Sequence, residues 1–130
     1  MKKAFFLAVA MTVLSACNSY QMTPEEKAQE AAVAYYNSLL AGEYEAFLNG
    51  RATMDSIPDN YRERLLNIYK QFMLRQQEEH GGIAGIEATH AATDSTLNVM
   101  QFFLNLNFND STKEEIVVPM VEKDGEWKMK

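Results

Sequence analysis

From residue 24 onward the apolar positions recur at helical spacing. Ala28, Ala31, Ala32, Tyr35 and Leu39 share one face, and Val33, Tyr36 and Leu40 widen it. Thr23-Pro24-Glu25-Glu26 supplies an N-cap, a proline at the first helical position and the glutamate of a capping box. The pattern predicts a helix from 24 to about 41, buried over more than half its circumference and ended by Gly42. A short second helix, Glu43 to about Leu48, presents Tyr44, Phe47 and Leu48. Residues 49–57 read as a loop, and Pro58 and Asp59 open a third helix over about 59–79. Its stripe is Tyr61, Leu65, Ile68, Tyr69, Phe72 and Met73 with Leu66 beside it, while Arg62, Arg64, Lys70, Arg75, Gln76 and Gln77 take the wet side. His80-Gly81-Gly82 stops it.

After the glycines the period changes to two. Residues 83–93, 96–108, 113–121 and 127–129 alternate as strands, separated by turns at Asp94-Ser95, at 109–112 and at Lys123-Asp124-Gly125-Glu126. The last turn is an Asp-Gly hairpin. Helices followed by a meander of strands predict an α+β fold, with the N-terminal helices on one face of an antiparallel sheet of about four strands. On the long strand Met100, Phe102, Leu104, Leu106 and Phe108 share a face, continued by Ile116, Val118 and Met120. Leu97 and Val99 have the opposite parity, so a β-bulge is expected near Val99-Met100 to turn both sets inward. Phe103, Val117 and Val121 then fall on the outer face, where a second copy of the chain is the expected cover. Pro119 argues for an edge or bulge position.

The first 22 residues follow neither pattern. Met1-Lys2-Lys3 is basic, residues 4–14 are apolar apart from Thr12, and Leu14-Ser15-Ala16-Cys17 follows. A basic start, a core of roughly 7–15 apolar residues and small residues at the cut describe a secretory signal. The run is too short to span a bilayer, which takes about 20 apolar residues. Leu14-Ser15-Ala16-Cys17 resembles the lipobox of bacterial lipoproteins, in which the thiol is alkylated by diacylglycerol and the new amino group is then acylated, as with palmitate. Cys17 is the sole cysteine, so it has no disulfide partner within the chain. The expected division is a signal over 1–16, a lipidated tether over 17–22 and one domain over 23–130. Several acyl chains make a stable anchor, since each buried methylene contributes about 0.8 kcal/mol. Asn18 rather than Asp follows the cysteine, which points to the outer membrane, facing the periplasm.

Cleavage would leave 114 of the 130 residues, enough for one domain. Losing Lys2 and Lys3 leaves 10 basic against 18 acidic residues, a net charge near −8. That balance argues against nucleic acid as a partner.

Two stretches carry a family resemblance. Ala34-Tyr35-Tyr36-Asn37-Ser38-Leu39-Leu40-Ala41-Gly42-Glu43-Tyr44-Glu45-Ala46-Phe47 resembles the opening helix, turn and second helix of the nuclear transport factor 2-like superfamily. Val121-Glu122-Lys123-Asp124-Gly125-Glu126-Trp127-Lys128 resembles the last hairpin of its small members, and the whole is similar to bacterial lipoproteins labelled lumazine-binding-like. The resemblance covers about 23–130 and implies a cystatin-like cone, a bent sheet curled round the helices with a pocket between them. Some members are enzymes and others only bind, so the fold does not choose.

Function therefore has to be read from the residues. A pocket between the first and third helices and the inner sheet face would be lined by Tyr35, Tyr36, Leu39, Tyr69, Phe72, Met100, Phe102 and Leu104. Such a lining suits a small apolar ligand and offers no strong base at neutral pH. Asp94, Asp110 and Asp124 fall in turns. His90 shares a face with Ile86, Ala88 and Ala92 by simple alternation and is the one candidate acid–base group. His80 is placed to meet the carbonyl end of its helix. Glu78, Glu79 and His80 are adjacent rather than at the spacing of helical metal ligands, so no metal or cofactor is expected. The leading expectation is a lipid-anchored binding or interaction module, and the alternative is a small isomerase or hydrolase centred on His90. Replacing Cys17 with Ser should abolish incorporation of labelled fatty acid and stall or move cleavage. Normal labelling of that variant would refute lipidation.

Overall fold

The computed structural model describes residues 21–94 and 96–130, at Asp55 the backbone alone, so the leader and lipobox lie outside the described residues. Helix α1 spans Pro24–Leu40, α2 Tyr44–Asn49 and α3 Asp59–His80, with a 3₁₀ turn at Met54–Ser56. Strands β1 (Ile83–Asp94), β2 (Val99–Phe108), β3 (Lys113–Lys123) and β4 (Glu126–Met129) follow as one antiparallel sheet in sequence order. The capping box forms: the Thr23 hydroxyl accepts from Glu26 N at 3.1 Å, and Glu26 Oε1 accepts from Thr23 N at 3.3 Å. Asp124 and Gly125 both take positive φ, 53° and 82°, as a two-residue hairpin of this hand requires.

Helix α1 lies across the inner face and touches all four strands. Ala28 and Ala32 are fully buried, because a methyl side chain lets the helix backbone approach the sheet closely. Phe102, Leu104 and Met120 meet it from below, also with no exposed surface. Helix α2 closes the end of this layer with Phe47 and Leu48. Helix α3 packs mainly on α2 and β1, and its buried row is narrower than the predicted stripe. Tyr69 and Gln76 are buried and Leu65, Leu66, Phe72 and Met73 are half-buried against the core, whereas Tyr61 and Ile68 are 44% and 50% exposed. Gln76, expected on the wet side, is buried because it continues the row.

The irregularities of the sheet lie in β1 rather than near Val99-Met100. Strands β2 and β3 pair without a break from Met100↔Met120 to Asn107↔Lys113. β1 slips against β2 between Ile83 and Gly85 and again between Ala88 and His90. Strand β2 begins only at Val99, because Asp94 Oδ1 accepts from Thr96 N and Leu97 N and Asn98 takes φ 54° to close a turn. Leu97 is thereby left 59% exposed in the turn, while Val99 is buried. At the second slip the Thr89 hydroxyl donates to Phe103 O at 3.0 Å, satisfying a carbonyl at the break in the ladder. Pro119 sits in an interior strand, contrary to the edge or bulge expectation. Its carbonyl accepts from Lys130 N, so its ring nitrogen faces the same side, just past the last paired residue of β4. The bond lost there is the one an N–H would have made to Lys130 O, beyond the paired residues of β4.

Strand β4 has a free side, and the chain after α2 covers it. Met129 N donates to Gly50 O and Ala52 N donates to Met129 O, both at 2.7 Å, a parallel bridge centred on Arg51. Lys123 Nζ adds a bond to Ala52 O and Lys128 Nζ one to Asn49 O. Tyr35 locks the arrangement from α1: its hydroxyl donates to Trp127 O at 2.7 Å, and its ring lies flat on Gly50. At the other end His80 stacks on Phe108 with centroids 4.0 Å apart, and its Nδ1 lies 2.8 Å from Asp110 Oδ2. Asn109 Nδ2 donates to Gly81 O, tying the β2–β3 turn to the end of α3.

Two consequences follow. A Cβ on Gly50 would lie 2.6 Å from a ring carbon of Tyr35, whose hydroxyl bond keeps the ring from swinging aside. Gly50→Ala should therefore lower stability by about 1–3 kcal/mol, read as a shift of the urea midpoint. No shift would show that the ring yields freely. Hydrogen bonds from the Thr112 hydroxyl, from His80 and from Thr112 N hold the Asp110 carboxyl at about 2, below its ordinary 3.8. A lowered folded value favours the native state above the unfolded value and loses that contribution as pH falls through the folded one. The wild type should thus lose stability between about pH 4 and pH 2 more steeply than Asp110→Asn, in denaturation midpoints measured across that window.

Candidate functional site

The space expected to hold an apolar pocket is filled. Leu39, Tyr69, Phe102 and Leu104 are buried in the core, with Tyr35 and Phe72 packed against it. Close approach of α1 over its alanines and the insertion of Phe47 and Leu48 pack the centre. Of the eight residues expected to line a pocket, Tyr36 and Met100 reach the clefts described below, and they reach different ones.

Tyr36 belongs to a cleft of about 150 Å³ at the end of the helical layer, lined by Tyr36, Phe47, Arg51, Val118, Met129 and Lys130. Each wall comes from a different element. Tyr36 descends from α1, Phe47 from α2, and Val118 and Met129 rise from the inner sheet face. Arg51 is carried in by the backbone bridge to Met129. The rings of Tyr36 and Tyr69 both meet Phe47 edge-on, at 5.1 and 4.9 Å. Arg51 Nη1 donates to the Tyr69 hydroxyl at 3.4 Å. Among the described side chains, which do not include that of Asp55, no carboxylate pairs with Arg51. Burial pushes the Tyr36 hydroxyl above its usual range, nearby Tyr69 adds to the rise, and Arg51 opposes it. The hydroxyl therefore keeps its proton at neutral pH and can donate. On its far side Arg51 also borders a groove of about 160 Å³ with Asn49, Lys123, Glu126 and Lys128.

Arg51 was invisible to sequence reasoning. It sits in a segment that reads as loop, and only the bridge to Met129 turns it toward the core.

Met100 lines a separate cleft of about 240 Å³, with Thr93, Asp94, Asn98, Val99, Glu122 and Trp127. Asp94 holds the following turn with one oxygen, as expected for a turn aspartate. A larger concavity of about 450 Å³ runs along α1 from Met22 to Asn37, but every other lining residue belongs to that one helix. A wall on one side only gives a ligand little burial.

His90 lies on the other side of the sheet from where alternation put it. Ile86 and Ala88 pair with Leu106 and Leu104 on the inner face. The bulge after Ala88 then reverses the parity: His90 pairs with Phe103 on the outer face, and Ala91 takes the inner position opposite Phe102. The imidazole is exposed and stacks on Phe103 at 4.0 Å, with Nδ1 3.1 Å from the Thr89 hydroxyl. His80, Asp110 and Thr112 resemble a nucleophile–base–acid set in composition only. Both Asp110 and the Thr112 hydroxyl approach the same ring nitrogen, Nδ1, whereas a relay needs the hydroxyl at the other. No group of three or more His, Cys, Asp or Glu suited to a metal ion occurs among the described residues.

Comparison with known proteins bears on both ends of the chain. Residues 1–18 match the model of the prokaryotic membrane lipoprotein lipid attachment site. Among the described residues no helix is long and apolar enough to cross a membrane. No curated protein sequence matches the chain. Among solved structures, the chain is similar to a Campylobacter jejuni protein named as a nuclear transport factor 2-like transpeptidase. The TM-score is 0.63 at 11% identity, over 78% of this chain and 94% of that one. At that identity the likeness speaks for the fold alone. The chain carries a prokaryotic lipoprotein attachment site followed by a domain with the nuclear transport factor 2-like fold.

Proposed function

We propose that this lipoprotein is a tethered binding module that holds a small ligand in the cleft around Arg51. The observation that carries the reading is the lining of that cleft. Tyr36, Arg51 and Lys130 are groups that orient a ligand through hydrogen bonds, with Tyr69 holding Arg51 from behind, and Phe47, Val118 and Met129 offer apolar surface to bury it. The His90-centred enzyme loses its support, because the imidazole stands on the outer face away from this cleft.

In this reading the signal ends at residue 16, the lipid on Cys17 anchors the protein in the outer membrane, and the domain over 23–130 stands in the periplasm on a short polar tether. A second copy packing on the outer sheet face would cover Val117, which is 49% exposed, and the half-buried Phe103 and Val121.

Thermal-shift screening of the mature lipoprotein in detergent against small metabolites tests the binding claim. Saturating ligand at about 100 times its dissociation constant adds roughly 2.7 kcal/mol to stability. The expected result is a saturable rise of several degrees in Tm, with the ligand recovered chemically unchanged. Conversion of the bound compound, abolished by His90→Ala, would establish the enzyme instead.

A further inference from the structure

We infer that the Arg51 cleft takes a small carboxylate with a short aliphatic body. The inference rests on the binding role proposed above and specifies what is bound. It begins with charge. The chain is acidic overall, with 18 acidic against 12 basic residues, yet Arg51, Lys123, Lys128 and Lys130 gather around β4 and the segment bridged to it. Two of these cations are engaged at the bridge: Lys123 Nζ bonds Ala52 O, and Lys128 Nζ bonds Asn49 O and lies 3.3 Å from Glu126.

Arg51 differs from them. Its guanidinium has five N–H donors in a planar fork, and among the described side chains its hydrogen bond is the 3.4 Å contact to the Tyr69 hydroxyl. It is half-buried and meets no carboxylate among the described side chains. A fork of this kind matches the two oxygens of a carboxylate, and charge-assisted bonds of that geometry are about twice as strong as neutral ones. The Tyr36 hydroxyl, on the same cleft and held in its protonated form, provides a further donor.

Apart from Lys130, a second cation at the cleft, the rest of the lining limits the body of the ligand. Phe47, Val118 and Met129 are buried apolar side chains that offer no polar partner. The volume of about 150 Å³ corresponds to roughly five waters. That suits a carboxylate carrying a few methyl or methylene groups. A phosphate, with no apolar body, would leave that wall unused.

The test is an NMR titration of the mature lipoprotein in detergent micelles with isovalerate, its neutral isostere isovaleramide, and inorganic phosphate. Isovalerate should shift resonances of Arg51, Tyr69 and Met129 saturably and bind about tenfold or more tightly than the amide. Arg51→Met should erase that preference. Tyr69→Phe should weaken isovalerate only a few-fold, and an unchanged urea midpoint for each variant excludes unfolding as the cause. Should Arg51→Met unfold the protein, the acid–amide comparison on the wild type still decides. Equal binding of acid and amide, or a preference that survives Arg51→Met, would overturn the carboxylate assignment and leave the binding module standing. Phosphate binding more tightly than isovalerate would overturn the aliphatic body. Silence from all three probes would remove the carboxylate assignment, and a simultaneous absence of hits in the metabolite screen would remove the binding module as well.

Discussion

The molecule depends on how the chain after α2 is fastened to the last strand. Met129 exchanges two 2.7 Å hydrogen bonds with Gly50 and Ala52, and Tyr35 reaches down from α1 to bond Trp127. A four-residue strand at a sheet edge would otherwise expose one row of backbone donors and acceptors to any passing chain. Here the row is covered from within. The cover needs a glycine at position 50, because the Tyr35 ring occupies the space that a side chain would take. One small residue thus joins helix, loop and sheet edge, and the same bridge aims Arg51 at the core.

A second constraint lies in β1. Its two slips against β2 change which face each residue presents, and the one after Ala88 decides the chemistry. Without it His90 would enter the inner layer beside Ile86 and Ala88. With it Ala91 does so, and the imidazole is stacked outside on Phe103. Thr89 makes the bulge tolerable, since its hydroxyl supplies the hydrogen bond that the interrupted ladder lacks. A sheet bent in this way wraps α1, which is why a single helix touches all four strands.

The filled interior and the small peripheral cleft have the same origin. Alanines on α1 bring the helix down until the aromatic and aliphatic residues of β2 and β3 meet it directly, so the centre is packed with side chains. One cleft lies where α1, α2 and the sheet diverge, and its polar groups come from Tyr36, Arg51 and Lys130, with Tyr69 bonded to the arginine. Such groups orient and hold.

Much of this architecture was legible in the sequence because its signals are local. The capping box of α1, the Asp-Gly hairpin, the alternation along β2 and the glycines after α3 depend on neighbours within a few residues. The leader and its cysteine are read by export machinery from linear order, so the lipid attachment site needs no fold to be recognised. The narrower buried row of α3 was not legible, because burial depends on which neighbouring element the helix meets. The bulge at Thr89 was hidden for a similar reason: period-two reading assumes an unbroken ladder, and the partner strand alone decides where it breaks. Pro119 misled in the same way, since whether its missing N–H matters depends on where β4 stops. Arg51 carried no periodic signal at all. Its place in the cleft comes from a parallel bridge between residues 78 positions apart, Arg51 and Met129, which exists only once the sheet has formed. Local hydrogen bonding and side-chain periodicity determined the elements and the anchor. Long-range pairing decided which side chains face one another, and with that the site.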